Sequence, residues 1–161
     1  MTAFDDRMLL DLETQLLVLL RRMRRNIAER AHEVEPGLAV LAYAVLDQLV
    51  RDGSGRAADL GCHLGADKGA MSRAVHQLVE LDLVARTTDP EDARAQVLSL
   101  TEEGRRRMST VADRRRSRFA ERMSGWEQEE VAALVDGLTR YNRTIDPASA
   151  AELVEAGAAS R

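Results

Sequence analysis

The sequence predicts a mainly α-helical chain carrying one small β-hairpin. Three observations carry this reading. Leu, Ala, Val and Arg dominate, while aromatic residues make up only 3% of the 161 positions, an aliphatic composition of the kind helical cores use. Apolar residues recur at spacings of three and four along most of the chain. Only residues 83–88 and 96–100 break that rhythm, as two short runs of β-branched and aliphatic residues on either side of the polar turn Asp89-Pro90-Glu91-Asp92.

The bulk numbers bound the function. At 161 residues the chain is long enough for one domain with a real core. With 45% hydrophobic and 31% charged residues it reads neither as a disordered tail nor as a membrane protein. A formal charge of -4 argues against indiscriminate binding of polyanions, so a nucleic-acid surface has to be a local patch. The one cysteine, Cys62, excludes an internal disulfide and cannot build a thiolate metal site alone. No stretch approaches the roughly 20 apolar residues that cross a bilayer. Asp5 and Asp6 stand where a secretion signal would be basic, so the expected address is the cytoplasm.

The first helix is expected over residues 6–31. Leu9, Leu12, Leu16, Leu19 and Met23 form a seam with alternating spacings of three and four. Leu10, Leu17, Leu20 and Ile27 lie beside it, so the apolar face is wider than one neighbour needs. Such a helix has two partners, one in its own subunit and one in a second copy. Pro36-Gly37 ends it. A second helix, 38–51, turns Leu41, Val45, Leu46 and Leu49 inward, and residues 52–55 read as a flexible turn. A short helix over 56–64 follows, with Leu60 and Leu64 four apart and Gly65 closing it. Asp67 suits an N-cap, and the next helix runs over 68–81 with Met71, Val75, Leu78 and Val79 as its buried set.

After the hairpin, Thr101 caps a long polar helix to about residue 124, with a thin apolar line of Met108, Val111, Phe119 and Met123. Gly125-Trp126 interrupts it. A last helix over 128–141 carries Val131, Leu134, Val135 and Leu138 at helical spacing, and from Pro147 onward the chain is a short helix or a frayed tail. The expected organisation is a helical region from 1–35 and 125–161, a lobe from 36–104, and a connecting helix from 105–124.

A short helix, a turn containing Gly and a second helix make a helix-turn-helix, and a hairpin directly after it has the layout of a wing. The fold class is therefore a winged helix-turn-helix. A DNA major groove admits one α-helix, which needs polar or small residues outward near its N-terminus. Residues Lys68, Gly69, Ser72, Arg73, His76 and Gln77 supply that face. Lys68 and Arg73 suit phosphates or guanine edges, and Gln77 suits either task. In the hairpin, Arg94 at the tip can enter a minor groove, and Asp92 two residues earlier can hold its guanidinium.

The run from Asp89 to Thr101, Asp-Pro-Glu-Asp-Ala-Arg-Ala-Gln-Val-Leu-Ser-Leu-Thr, followed by Glu102-Glu103-Gly104, resembles the wing signature of the MarR family of transcription regulators. The preceding run from Leu78 to Arg86 is similar to that family's passage from helix to wing. The order of elements and the length extend the resemblance over nearly the whole chain. The resemblance implies a homodimer on double-stranded DNA, with N- and C-terminal dimerisation helices in 1–35 and 125–161, the helix over 68–81 in the major groove and Arg94, steadied by Asp92, in the minor groove. It further implies a repressor's role and, as in many members, release by a small aromatic or anionic effector. Two departures stand out: Asp82 replaces a Gly before the wing, and Gly69 and Ala70 replace hydroxyl residues.

Other functional classes fit less well. There is no Gly-rich phosphate loop, no Gly-x-Ser-x-Gly elbow and no His-Glu-x-x-His pair, so neither an enzyme nor a bound cofactor is expected. His32, His63 and His76 lack partners at metal-ligand spacing. Cys62 reads as a small buried hydrophobe. The arginine runs 21–25, 105–107 and 114–116 read as solvated helix faces. The alternative reading is a winged helix used for protein contact or sensing without DNA, which would not need a basic hairpin tip.

Overall fold

The first helix, α1 (Asp6–Val34), starts where the Asp5 carboxylate accepts the Arg7 backbone N–H at 3.1 Å, as an N-cap does. Its last turn enters the core through Ala31 and Val34, with Ile27 packed against that core one turn earlier. Leu9, Leu12, Leu19 and Met23, four of the five seam residues, are exposed by 43–50%. The chain described here is a computed structural model, and it covers residues 5–89, 92 and 96–145. The stretch from Pro147 lies outside those residues.

Helix α2 (Val40–Asp52) is the centre of the lobe. Its Ala42, Val45, Leu46 and Leu49 are buried, and it packs against α1, the helix α4 described below and the sheet. Gly53 then takes φ +79°, a left-handed conformation that glycine adopts without steric cost. It leads into strand β1 (Ser54–Arg56), where a plain turn was expected. β1 pairs antiparallel with the later strand β3 (Gln96–Leu100), Gly55 facing Leu98. Three residues with a central glycine carry no alternation to read, and the pairing partner is remote in sequence.

Helices α3 (Ala57–His63) and α4 (Lys68–Glu80) form the helix-turn-helix. β2 (Val84–Thr88) and β3 follow, giving an antiparallel sheet in the order β1-β3-β2 with Val84 opposite Leu100 and Thr88 opposite Gln96. Leu46, Leu49, Leu78, Leu83, Leu98, Val45 and Val84 are the largest fully buried side chains. Each adds about 1.5–3 kcal/mol of burial, so the sheet and α4 are held on one aliphatic core. Val79 departs from the expected buried set: Ala74 fills the seam beside Met71, Val75 and Leu78, and Val79 flanks it, 38% exposed.

Helix α5 (Glu102–Met123) leaves the sheet with Met108 and Val111 buried. Phe119, expected on the same line, is exposed, because the helical spacing continues past the last residue that has core beneath it. The chain divides into two compact units, Met1–Arg115 and Arg116–Arg161. In the second, α6 (Gln128–Ile145) carries Leu134, Val135, Leu138, Tyr141 and Ile145 in a line, all exposed. Among the described residues no helix is long and apolar enough to cross a membrane.

Candidate nucleic-acid interface

The turn between α3 and α4 is shaped by local rules. Gly65 takes φ +60° after α3, and the Asp67 carboxylate accepts the Ala70 backbone N–H at 2.8 Å. That hydrogen bond is the main reason the Asp67 carboxyl sits below its ordinary range, with a further bond from the Gly69 N–H and the charge of Arg73 acting in the same direction. α4 then buries Met71, Ala74, Val75 and Leu78. Lys68, Gly69, Ser72, Arg73 and His76 all stand exposed; at about 100° per residue these positions share one face. A Cβ on Gly69 would meet Asp67 Oδ1 at 3.2 Å and Arg73 Nη1 at 3.4 Å, so the Arg73 guanidinium lies back over the first turn. His76 Nε2 is 3.3 Å from Glu80 Oε1.

Gln77 does something the sequence pattern did not suggest. Its Oε1 accepts the Ala39 N–H at 3.1 Å and its Nε2 donates to the Gly37 carbonyl at 3.0 Å. Both ends of the amide are thus used to tie α4 to the connection between α1 and α2. In this arrangement Gln77 holds the helix and does not present a free edge.

Both feet of the wing are pinned at one point. α4 ends with Leu83 N–H donating to Leu78 O at 2.9 Å and Asp82 N–H to Val79 O at 3.0 Å, the pattern of a Schellman motif. Asp82 is the left-handed residue, at φ 54°, in the place where the family resemblance called for glycine. The Thr101 hydroxyl donates to Asp82 O at 2.6 Å and accepts the Gly104 N–H at 2.9 Å. Thr101 N–H also donates to Leu83 O at 3.1 Å. Gly104 is required there, since a Cβ would stand 2.2 Å from that same carbonyl oxygen.

Further out, Arg56 Nε donates to Asp89 Oδ2 at 2.6 Å, linking the start of α3 to the outer end of β2. Asp89 is only 7% exposed. The pair joins residues 33 positions apart, so no spacing rule could have found it. Asp92 is exposed, and Arg94 lies outside the described residues. Of the arginine runs, Arg106 and Arg107 pair with Glu103. Arg107 also donates to the Val34 carbonyl at 3.2 Å and to the Glu35 carboxylate, fastening α5 to the end of α1. Together these arginines hold the Glu103 carboxyl down at about 2.

Cys62 is exposed, contrary to the buried position expected. Two residues beyond Leu60 is roughly 200° around a helix, so with Leu60 and Gly61 inward the thiol faces away from the core. Among the described residues no group of His, Cys, Asp and Glu could hold a metal ion.

The lobe matches a known family: residues 40–95 fit the family model described as the MarR family. The chain is 25% identical over 134 residues to the uncharacterized HTH-type transcriptional regulator YdgJ of Bacillus subtilis (strain 168), covering 83% of this chain and 81% of that protein. Among solved structures it is similar to RV1404 from Mycobacterium tuberculosis, with 26% identity, a TM-score of 0.73 and coverage of 89% and 97%. A MarR family protein from Bacillus stearothermophilus has the same fold at 21% identity and a TM-score of 0.72, with coverage of 89% and 99%. The fold is thus similar to that of MarR-family winged helix-turn-helix proteins.

Proposed function

We propose that the protein is a homodimeric repressor that reads an imperfect palindrome in duplex DNA and acts in the cytoplasm. The observation that carries the reading is the exposed face of α4, with Lys68, Ser72, Arg73 and His76 outward and Met71, Ala74, Val75 and Leu78 locked in the core. A helix held rigidly from behind and polar in front is what a major groove takes. Lys68, Gly69, Ser72, Arg73 and His76 contact the groove and its phosphates, while Arg94, steadied by Asp92, enters the adjacent minor groove.

The exposed Leu and Met seam of α1 and the exposed apolar line of α6 support a dimer, since contiguous apolar faces of this length mark protein contacts. Two subunits then place their α4 helices about 34–36 Å apart, one turn of DNA. A small aromatic or anionic effector that prefers a dimer with a different spacing releases the DNA by population shift, in proportion to its differential affinity.

Sedimentation of the purified protein, with titration of the DNA upstream of its own gene at several salt concentrations with and without small aromatic acids, tests the reading. A dimer that prefers this DNA, and loses affinity as salt rises, supports it. A monomer with no preference among fragments refutes it.

A further inference from the structure

Among α3, α4 and the wing lies a cleft of about 750 Å³. Its floor is apolar, formed by Met71, Val75 and Leu98. Its rim is polar: Lys68 and Ser72 stand on α4 and Arg86 and Gln96 on the strands, all four exposed, with the Asp59 and Asp92 carboxylates also lining the cleft. Arg86 is the odd residue in this wall. It stands two positions from Val84 and opposite Leu98 in the β-ladder, so it shares the sheet face that carries the buried core. Exposed at the rim, its guanidinium stays solvated until a partner supplies a compensating negative charge.

Nothing among the described residues does so. Arg86 and Lys68 make no hydrogen bond or ion pair there, whereas the third cation of the cleft, Arg56, is neutralised by Asp89 with Asp59 and Asp92 adding to the field. Lys68 and Arg86 thus remain cations without a direct partner among the described residues, one on each of the two elements that the proposed function sends into neighbouring grooves. What separates neighbouring grooves of a duplex is a sugar-phosphate backbone, which carries a regular line of negative charge.

We propose that this cleft seats the phosphodiester strand running between the grooves entered by α4 and the wing, with Arg86 and Lys68 contacting phosphates from opposite banks. This rests on the DNA reading above and extends it to a residue, Arg86, outside the expected contact set. A phosphate contact carries no sequence information, so its loss weakens all duplexes alike.

The test is binding by fluorescence anisotropy across a salt series, using the wild type, Arg86→Ala, Arg86→Lys and Lys68→Ala on a preferred duplex and a scrambled one. Removing either cation should weaken binding to both duplexes by a similar factor, on the order of tenfold for each of the two charge-assisted bonds the dimer loses. It should also reduce the slope of log affinity against log salt by about 1.8, about 0.9 from each subunit. Arg86→Lys should keep the wild-type slope, and thermal melts should show every variant folded. An unchanged slope in Arg86→Ala overturns the proposal, as does a loss confined to the preferred duplex, which would make Arg86 a base reader. Wild-type protein that binds neither duplex instead defeats the DNA reading itself, and the cleft assignment with it.

Discussion

The Asp89 carboxylate is buried against the guanidinium of Arg56, and this ion pair fastens the outer end of the wing to the start of α3. Breaking it by Arg56→Ala removes the guanidinium from beside a buried carboxylate, which is destabilising. The melting temperature should fall, and affinity for the preferred DNA should fall with it. A double-mutant cycle separates positioning from contact. If Arg56 acts by holding the wing, its effect on DNA affinity should shrink in an Arg94→Ala background; full additivity would show that the two arginines act independently.

Gly104→Ala tests the knot at the feet of the wing. The added Cβ falls 2.2 Å from the Leu83 carbonyl oxygen, a backbone atom that also accepts the Thr101 N–H. The substitution should destabilise by about 1–3 kcal/mol, outweighing the ~1 kcal/mol that alanine adds to helix propensity. Chemical denaturation measures it, and a neutral result would show that Leu83 can move away.

Asp82→Gly should do the opposite. Asp82 holds φ 54° at the end of α4, a conformation that costs most L-residues roughly 1–2 kcal/mol, Asp less than others. Glycine removes that strain but loses more chain entropy on folding. The net expectation is a gain of about 0.5–1 kcal/mol in denaturation midpoint analysis. A loss would mean that the Asp82 side chain has a role its backbone does not reveal.

Glu103 gives a pH dependence with a defined sign. Hydrogen bonds from Arg106 and then Arg107 depress its carboxyl from 4.5 to about 2 in the folded protein. A depressed carboxyl binds protons more readily when unfolded, so its contribution is present above about 4.5 and is lost as pH falls toward 2. The stability difference between wild type and Glu103→Gln should be largest near neutral pH and shrink across that window. A difference that stays constant with pH would contradict the assignment.

How far the sequence went can be read from particular residues. The helices were legible because apolar spacing, the caps at Asp67 and Thr101, and the breaks at Gly65 and Gly125 are local signals. The outward set on α4 followed from the same periodicity. β1 was not legible, since its three residues are a strand only by virtue of β3. Arg56–Asp89 and Gln77 with the Gly37–Ala39 turn are long-range partnerships of 33 and about 40 residues, and polar residues give no advance notice of which partner they will meet. Cys62 was misplaced by its apolar neighbours, although the helical angle from Leu60 already pointed outward. Leu9 to Met23 on α1 read as a face for a second copy, and four of these five seam residues are exposed in the single chain.

The central claim is that α4 and the wing grip adjacent grooves of one duplex in two copies related by a twofold axis. Hydroxyl-radical footprinting of the preferred fragment tests it most directly. The expected pattern is two symmetric sets of protection about 10 base pairs apart, centre to centre, each with a flanking minor-groove component that disappears in Arg94→Ala. A single unpaired footprint, or flanking protection that survives the loss of Arg94, would contradict it.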